Sequence, residues 1–191
     1  MKIIAGQAKG FPLRIPTGEV RPTQDRVRQA LFNILTPIIP GARVLDLFCG
    51  TGSVGLEALS RGAARACMVD ASRSSCNTAR DNLLRCKLSG GSIVQSDCLS
   101  FVQRDHGVYD LIFADPPYCK APGDRDMIAE LLTGRLHELL AAGGYFIAEA
   151  QVGYGVGDAH TREFEGWQIV DERTYGKNTL LFYQTLAEEK A

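Results

Sequence analysis

Between Ala42 and Arg61 the chain reads ARVLDLFCGTGSVGLEALSR. An apolar run meets a bend rich in glycine, and apolar residues then recur at helical spacing. That is a strand, a tight loop and a helix packed back on the strand. Gly50, Gly52 and Gly55 fit G-x-G-x-x-G, the pattern of a loop that brings backbone N–H groups close to a ligand. A strand that feeds a helix through such a loop needs a parallel neighbour, so this one unit commits the chain to an α/β sheet covered on both faces.

The rest of the sequence keeps that rhythm. RACMVD, GSIVQSD, YDLIFAD and GYFIAEA read as further strands. SRSSCNTARDNLLRCKL, CLSFVQR and a segment from about Asp124 to Leu140 read as the helices between them. WQIVDERTYG and NTLLFYQTL follow each other across Gly176-Lys177, so one of the two should run antiparallel. Ahead of the glycine loop, IIAG and PLRIP predict a short β-hairpin around Lys9-Gly10. QDRVRQALFNIL predicts a helix that Thr23 can cap, with Val27, Leu31, Ile34 and Leu35 on one stripe and Arg26 and Arg28 off it. Residues 1–40 are expected to extend a core over 41–186, within one domain spanning 1–191.

With 191 residues, 45% of them hydrophobic and 23% charged, the composition is that of an ordinary globular protein. No run of about 18 apolar residues exists, which argues against a membrane span or membrane partner. The apolar run after Lys2 is only three residues long, too short for a signal peptide. The chain is expected in the cytoplasm. Cysteines at 49, 67, 76, 86, 98 and 119 lie nine or more residues apart. Without a C-x-x-C pair they read as free thiols of the core, and no metal is expected. His106, His137 and His160 fall near predicted element ends and read as surface residues. Charge is uneven. Residues 1–43 hold seven basic side chains (Lys2, Lys9, Arg14, Arg21, Arg26, Arg28, Arg43) and two acidic ones (Glu19, Asp25), although the whole chain has a net charge of −1. A basic arm of this kind suits a polyanion and equally suits a solvated segment.

The glycine loop admits two cofactors. A dinucleotide would place its pyrophosphate on the helix N-terminus, with Asp70 at the end of the second strand on the ribose. Asp46, four residues before the first glycine, sets a negative charge near that anion. A cofactor with cationic groups, such as S-adenosylmethionine with its ammonium and sulfonium, would gain from the same charge. D-x-x-x-G-x-G resembles motif I of class I S-adenosylmethionine-dependent methyltransferases. In that family the acids at Asp70 and Asp97 face the ribose hydroxyls and the adenine amine.

A second stretch, Asp115-Pro116-Pro117-Tyr118, ends the fourth strand. Each proline fixes φ near −65° and lacks an N–H, and each extends the residue before it. The outcome is a stiff group of acceptors with no competing donor, suited to an amine that offers two hydrogens from one nitrogen. Tyr118 could stack on a base, worth roughly 1–3 kcal/mol. The stretch resembles motif IV, (D/N/S)-P-P-(Y/F/W), of amino methyltransferases. Cys119 would suit carbon-5 pyrimidine methylation through a thiolate, but those enzymes usually place the thiol directly after a proline, and Tyr118 intervenes.

RPTQDRVRQALFNIL, MKIIAGQAKGFPLRIP, GLEALSRGA and YGKNTLLFY together resemble the RsmD family, bacterial 16S rRNA guanine-N2-methyltransferases. The likeness runs from Lys2 to about Tyr183. It implies a Rossmann-like class I methyltransferase fold: seven strands, mostly parallel with an antiparallel last strand, plus an N-terminal β-hairpin and helix. The implied reaction is S-adenosylmethionine-dependent methylation of the exocyclic N2 amine of one guanine in 16S rRNA, in the small ribosomal subunit or its assembly intermediate. The implied cofactor residues are Asp46, Phe48, Gly50, Gly52, Asp70 and Asp97. Chemistry falls to Asp115, Pro116, Pro117 and Tyr118, and RNA contact to Arg21, Thr23, Arg26 and Arg28. Tyr175, Gly176 and Lys177 would either line the base pocket or only form a hairpin turn. A monomer is expected. The alternatives are an adenine-N6 DNA or RNA methyltransferase, a protein glutamine-amide methyltransferase, an NAD(P)-dependent oxidoreductase, and a catalytically silent RNA-binding assembly factor.

Overall fold

The computed structural model describes residues 1–15, 23–117, 124–151 and 163–186. Helix α1 (Thr23–Leu35) precedes β1 (Arg43–Leu47), α2 (Ser53–Ser60), β2 (Arg65–Asp70), α3 (Arg73–Cys86) and β3 (Gly91–Gln95). Then come α4 (Cys98–Arg104), β4 (Tyr109–Ala114), α5 (Met127–Thr133), α6 (Leu136–Leu139), β5 (Leu140–Gln151), β6 (Trp167–Tyr175) and β7 (Asn178–Thr185). Among the described residues no helix is long and apolar enough to cross a membrane.

The seven strands form one sheet in the order β3-β2-β1-β4-β5-β7-β6. The first five pair in parallel. Strand β7 enters between β5 and β6 and runs antiparallel to both, which meets the sequence expectation. Central strands carry helices on both faces and so lack polar alternation: Val44, Leu45, Asp46 and Leu47 are all buried. Edge strand β6 has one covered face and exposes Ile169 and Val170.

Alternation along the strands divides the core in two. Val44, Leu111, Phe113, Ile147, Leu180 and Phe182 pack on the side of α1 and α2. Leu45, Leu47, Ile112, Phe146, Leu181 and Tyr183 pack on the side of α4, α5 and α6. Phe32 of α1 lies 6.2 Å from Phe113 of β4, ring centre to ring centre, and so seats α1 over the middle of the sheet. The single helix expected over about 124–140 is two short helices, broken at Gly134-Arg135. Asp126 starts the first by accepting from the N–H groups of Ile128 and Ala129.

The N-terminal hairpin is a looser object than two strands. It pairs through one antiparallel bridge, Lys2 with Pro12, and through Ile3 N–H to Phe11 O and Gly10 N–H to Ile3 O. The reason lies in where its other donors go. Ile4 N–H and Ala5 N–H donate to the carboxylate of Glu57 at 2.7 and 3.0 Å. Gln7 N–H donates to Ser60 O, and Ala8 N–H to Ser60 Oγ. Gly6 makes this approach possible: a Cβ there would stand 1.7 Å from the Ser60 carbonyl oxygen. Further on, Asn82 of α3 grips Arg14 at both its N–H and its C=O, and its Nδ2 also donates to Thr51 O in the glycine loop.

Glu57 has no exposed surface. Besides the two arm N–H groups, it takes Arg61 Nε at 2.7 Å and Arg28 Nη1 at 3.4 Å. Arg28 also donates to Lys2 O, Ser53 O and Asp25. One carboxylate thus joins the arm, α1 and α2. Replacing Glu57 by Ala takes the buried carboxylate from both Arg28 and Arg61 and leaves the N–H groups of Ile4 and Ala5 unmatched. By analogy with broken buried ion pairs, it is expected to cost about 3–5 kcal/mol, read by urea or guanidinium unfolding.

Candidate active site

The loop after β1 starts with strained backbone. Phe48 takes φ +59°, rare for a side chain other than glycine. Its N–H donates to Cys98 Sγ at 3.3 Å, and the next N–H, of Cys49, donates to Val69 O. Burial pushes the Cys98 thiol up to about 12, so it stays a neutral packing group. Gly50 and Gly52 follow at φ +53° and +76°. Gly52 is the N-cap of α2 and has no side chain to offer the first turn. Asp46 supplies that acceptor from the strand instead: its Oδ2 takes Gly55 N–H at 2.9 Å. At Gly55 a Cβ would run into Met68 Cγ at 2.6 Å, so the third glycine serves helix–strand packing. A Cβ on Gly50 would meet nothing, so the space above that residue is open.

Asp70 braces the loop from the tip of β2. One oxygen accepts Gly50 N–H at 2.8 Å and the other Ser72 N–H at 2.8 Å. Each carboxylate oxygen keeps a lone pair for another donor. Asp97, one strand further, caps α4 through Ser100 N–H at 2.8 Å. That bond holds its carboxyl below the usual range. Asp46 behaves in the opposite way. Burial pushes it up to about 7, against the pull of the Gly55 N–H, and the nearby charge of Asp70 adds to the rise. Asp46 and Asp97 are therefore pushed in opposite directions although both stand near strand ends.

Strand β4 lies against β1, with Leu47 level with Ala114. Asp115, just past that pair, is half-buried; Pro116 is buried and Pro117 exposed. The stiff corner therefore stands beside the glycine loop on the same edge of the sheet. Tyr118 and Cys119 fall outside the described residues. On the other flank, β5 carries Glu149 level with this corner, since Ala114 pairs with Ala148. Asn178 of β7 donates to Glu149 Oε1 at 2.6 Å.

Of the residues expected to touch RNA, the two whose side chains are described, Arg26 and Arg28, go different ways. Arg28 is 4% exposed and committed to Glu57, Asp25 and two backbone carbonyls, so it is no surface contact. Its i−1 neighbour Val27 packs in the core, and Arg28 follows it inward to meet the buried acid of α2. Arg26 is exposed on α1. Thr23 is the first residue of α1, its side chain outside the described set, as is Arg21. Sequence reading passed over Glu57, Asn82 and Glu149. The signal was present: VGLEALSR and GYFIAEA each carry an acid inside an apolar run, and Glu57 stands one helical turn before Arg61.

A family model described as Conserved hypothetical protein 95 matches residues 1–184. Ribosomal RNA small subunit methyltransferase D of Escherichia coli is 40% identical over 119 residues, which cover 62% of this chain and 60% of that relative's length. YlbH of Bacillus subtilis is 31% identical over 196 residues, 96% of this chain and 98% of that protein. Among solved structures, yhhF from Escherichia coli superposes with a TM-score of 0.80 at 33% identity over 97% of both chains. The chain belongs to the RsmD family, whose family model carries that description.

Proposed function

We propose that this chain methylates the exocyclic N2 amine of a guanine in 16S rRNA, within the small ribosomal subunit or its assembly intermediate, using S-adenosylmethionine. The observation that carries the reading is the meeting of two motifs on one sheet edge: the acid-braced glycine loop of β1 and the Asp115-Pro116-Pro117 corner of β4, whose strands pair up to Leu47 and Ala114. The name of the Escherichia coli relative supports an rRNA substrate in the small subunit. Residues 1–40 serve as the RNA-facing extension, and a monomer suffices because both motifs come from one chain.

The residues fit an adenosine carrying a cation and do not fit a pyrophosphate. Two N–H groups that a dinucleotide phosphate would need, those of Gly50 and Gly55, already donate to carboxylates. Open space above Gly50 and the spare lone pairs of Asp70 suit a ribose diol. Asp46 offers negative charge below the cationic end, Phe48 and Gly52 shape the loop, and Asp97 lies toward the base. When bound, S-adenosylmethionine supplies an electrophilic methyl group whose departing thioether is neutral.

On the acceptor side, the backbone carbonyls of the proline corner and the Asp115 carboxylate hold the two N2 hydrogens. The amine nitrogen is then turned out of the ring plane, with its lone pair toward the methyl carbon. Holding both partners in line can supply about 7–11 kcal/mol of the barrier. As the amine takes up the methyl group that the bound donor would supply, one N2 proton would leave through Asp115 to water. Tyr118 stacks on the base. Taking the base from a loop limits the unstacking cost to a few kcal/mol or less.

Incubating small subunits, naked rRNA and DNA with methyl-labelled cofactor tests the reading. Label is expected in N2-methylguanosine; label in methyladenosine or DNA overturns it. Replacing Asp115 by Ala is expected to lower kcat by roughly 10²–10⁴-fold with cofactor affinity retained in calorimetry. The raised carboxyl of Asp46 sets a pH dependence. In the free protein its contribution to stability is complete below the ordinary value of 3.8 and is lost as pH climbs through about 7. A cationic ligand favours the ionised form. Affinity for S-adenosylmethionine should therefore rise as pH increases through about 7, with proton release seen across buffers of different ionisation enthalpy. Replacing Asp46 by Asn should flatten that profile.

A further inference from the structure

The net charge of −1 hides a sharp division. Residues 1–95 carry thirteen basic side chains and six acidic ones, whereas residues 96–191 carry eight and sixteen. Folding hides or neutralises four of the first six acids: Asp46 and Glu57 are buried, Asp25 pairs with Arg28, and Asp81 pairs with Arg14. The surplus of cations shows most plainly on α3. That helix lies on the face of α1 and α2, with Cys86 in their half of the core and Leu83 packed against it. Arg73, Asn77, Arg80, Leu84 and Lys87 recur at intervals of three and four and are all exposed, Leu84 by 76%. One outward stripe thus shows three cations and no acid over about 21 Å. A solvated helix face usually mixes signs so that neighbours one turn apart can pair. Arg80 is held in place on this stripe, by Asn77 Oδ1 at 3.2 Å and Ile93 O at 3.3 Å. The arm adjoins it: Asn82 grips the backbone of Arg14, and the Arg85 guanidinium lies 5.3 Å over the Phe11 ring.

A row of cations about 10 Å apart along a rigid helix matches a polyanion that is itself extended. Nucleic acid repeats its phosphate every few ångströms along each strand, and a guanidinium binds phosphate through two parallel hydrogen bonds. Resting on the rRNA methyltransferase reading above, we propose that the outer stripe of α3 is a second RNA-contact surface: Arg73, Arg80 and Lys87 engage backbone phosphates of the substrate RNA outside the target nucleotide. The placement of the helix favours RNA over an acidic protein. Helix α3 starts three residues after Asp70, at the sheet edge that carries the glycine loop, so the stripe begins beside the site and leads away from it. RNA that delivers a base to that edge has its flanking backbone within reach of the stripe. Contacts of this kind read no sequence; they set the register and affinity with which the target nucleotide is presented.

The test uses the full chain with small subunits and with naked 16S rRNA. Filter binding reads Kd at several salt concentrations, and methyl-labelled cofactor reads turnover. Arg80→Gln combined with Lys87→Gln removes two cations from exposed positions. This variant is expected to raise Kd for both RNAs by roughly 3–30-fold and to lower the slope of log K against log salt by about 1.5. KM should rise with Kd while kcat and cofactor affinity stay as in wild type. Arg80→Lys with Lys87→Arg keeps the charge and should restore the salt slope. Arg173→Gln, on edge strand β6, should change neither Kd nor slope. Unaltered Kd and slope in the double variant, or an equal change with Arg173→Gln, overturns the inference. A loss on small subunits that is absent on naked rRNA also overturns it, in favour of an acidic protein as the partner. If the double variant does not fold, Lys87→Gln alone carries the test with a slope change of about 0.8, and an unaltered slope overturns the proposal. Absence of label with wild type on every substrate overturns the methyltransferase reading, whereas label with an unaltered salt slope in the variant overturns this inference alone.

Discussion

The structure turns on a carboxylate that water does not reach. Glu57 stands where the N-terminal arm, α1 and α2 converge, and it matches donors from all three. A buried charge is tolerated only when its lone pairs are filled, and each donor here belongs to a different element or to the next turn. The geometry of those elements is therefore specified together. The arm cannot slide without stranding Ile4 and Ala5 N–H groups, and α1 cannot rotate without pulling Arg28 away. The glycine loop opens directly into α2, so the same junction sets the height of the loop above the sheet.

A second pattern runs along the C-terminal edge of the sheet. Parallel strands deliver their ends to one side, and here the acids at those ends do local structural work before any ligand arrives. Asp46 stands in for the missing side-chain cap of α2, Asp70 ties down Gly50, and Asp97 starts α4. Burial raises the carboxyl of Asp46, whereas the Ser100 N–H lowers that of Asp97. The exposed Asp97 ionises readily, while Asp46 resists. A cationic ligand would meet an edge whose charge it can itself increase.

Much of this was legible beforehand because it depends on period and punctuation. Alternating apolar strands, G-x-G-x-x-G and Asp-Pro-Pro-Tyr are local signals, and the seven-stranded sheet with its antiparallel last strand follows from them and from the family resemblance. What escaped was long-range. Arg28 lies off the apolar stripe of α1 and so reads as a surface cation. Partners brought close by folding, Lys2 O, Ser53 O and the Glu57 carboxylate 29 residues away, turn it inward. The hairpin likewise reads as two strands until its donors are seen going to Glu57 and Ser60. Glu149 belongs to the same class: its partner Asn178 comes from the neighbouring strand, in a register that no one-dimensional pattern contains.

The position of β7 has a consequence for biosynthesis. The strand translated last among the seven is not at the margin of the sheet but inside it, wedged between β5 and β6. Until it emerges, β5 has an unpaired flank and Glu149 lacks its amide partner. A nascent chain can thus pair β1 with β4 early, yet β5 stays open on one side until residues 178–183 are free of the exit tunnel. Closure of the sheet on this side is in this sense a late event of synthesis, and a polypeptide interrupted before Asn178 would carry both motifs on a sheet whose fifth strand has a bare flank.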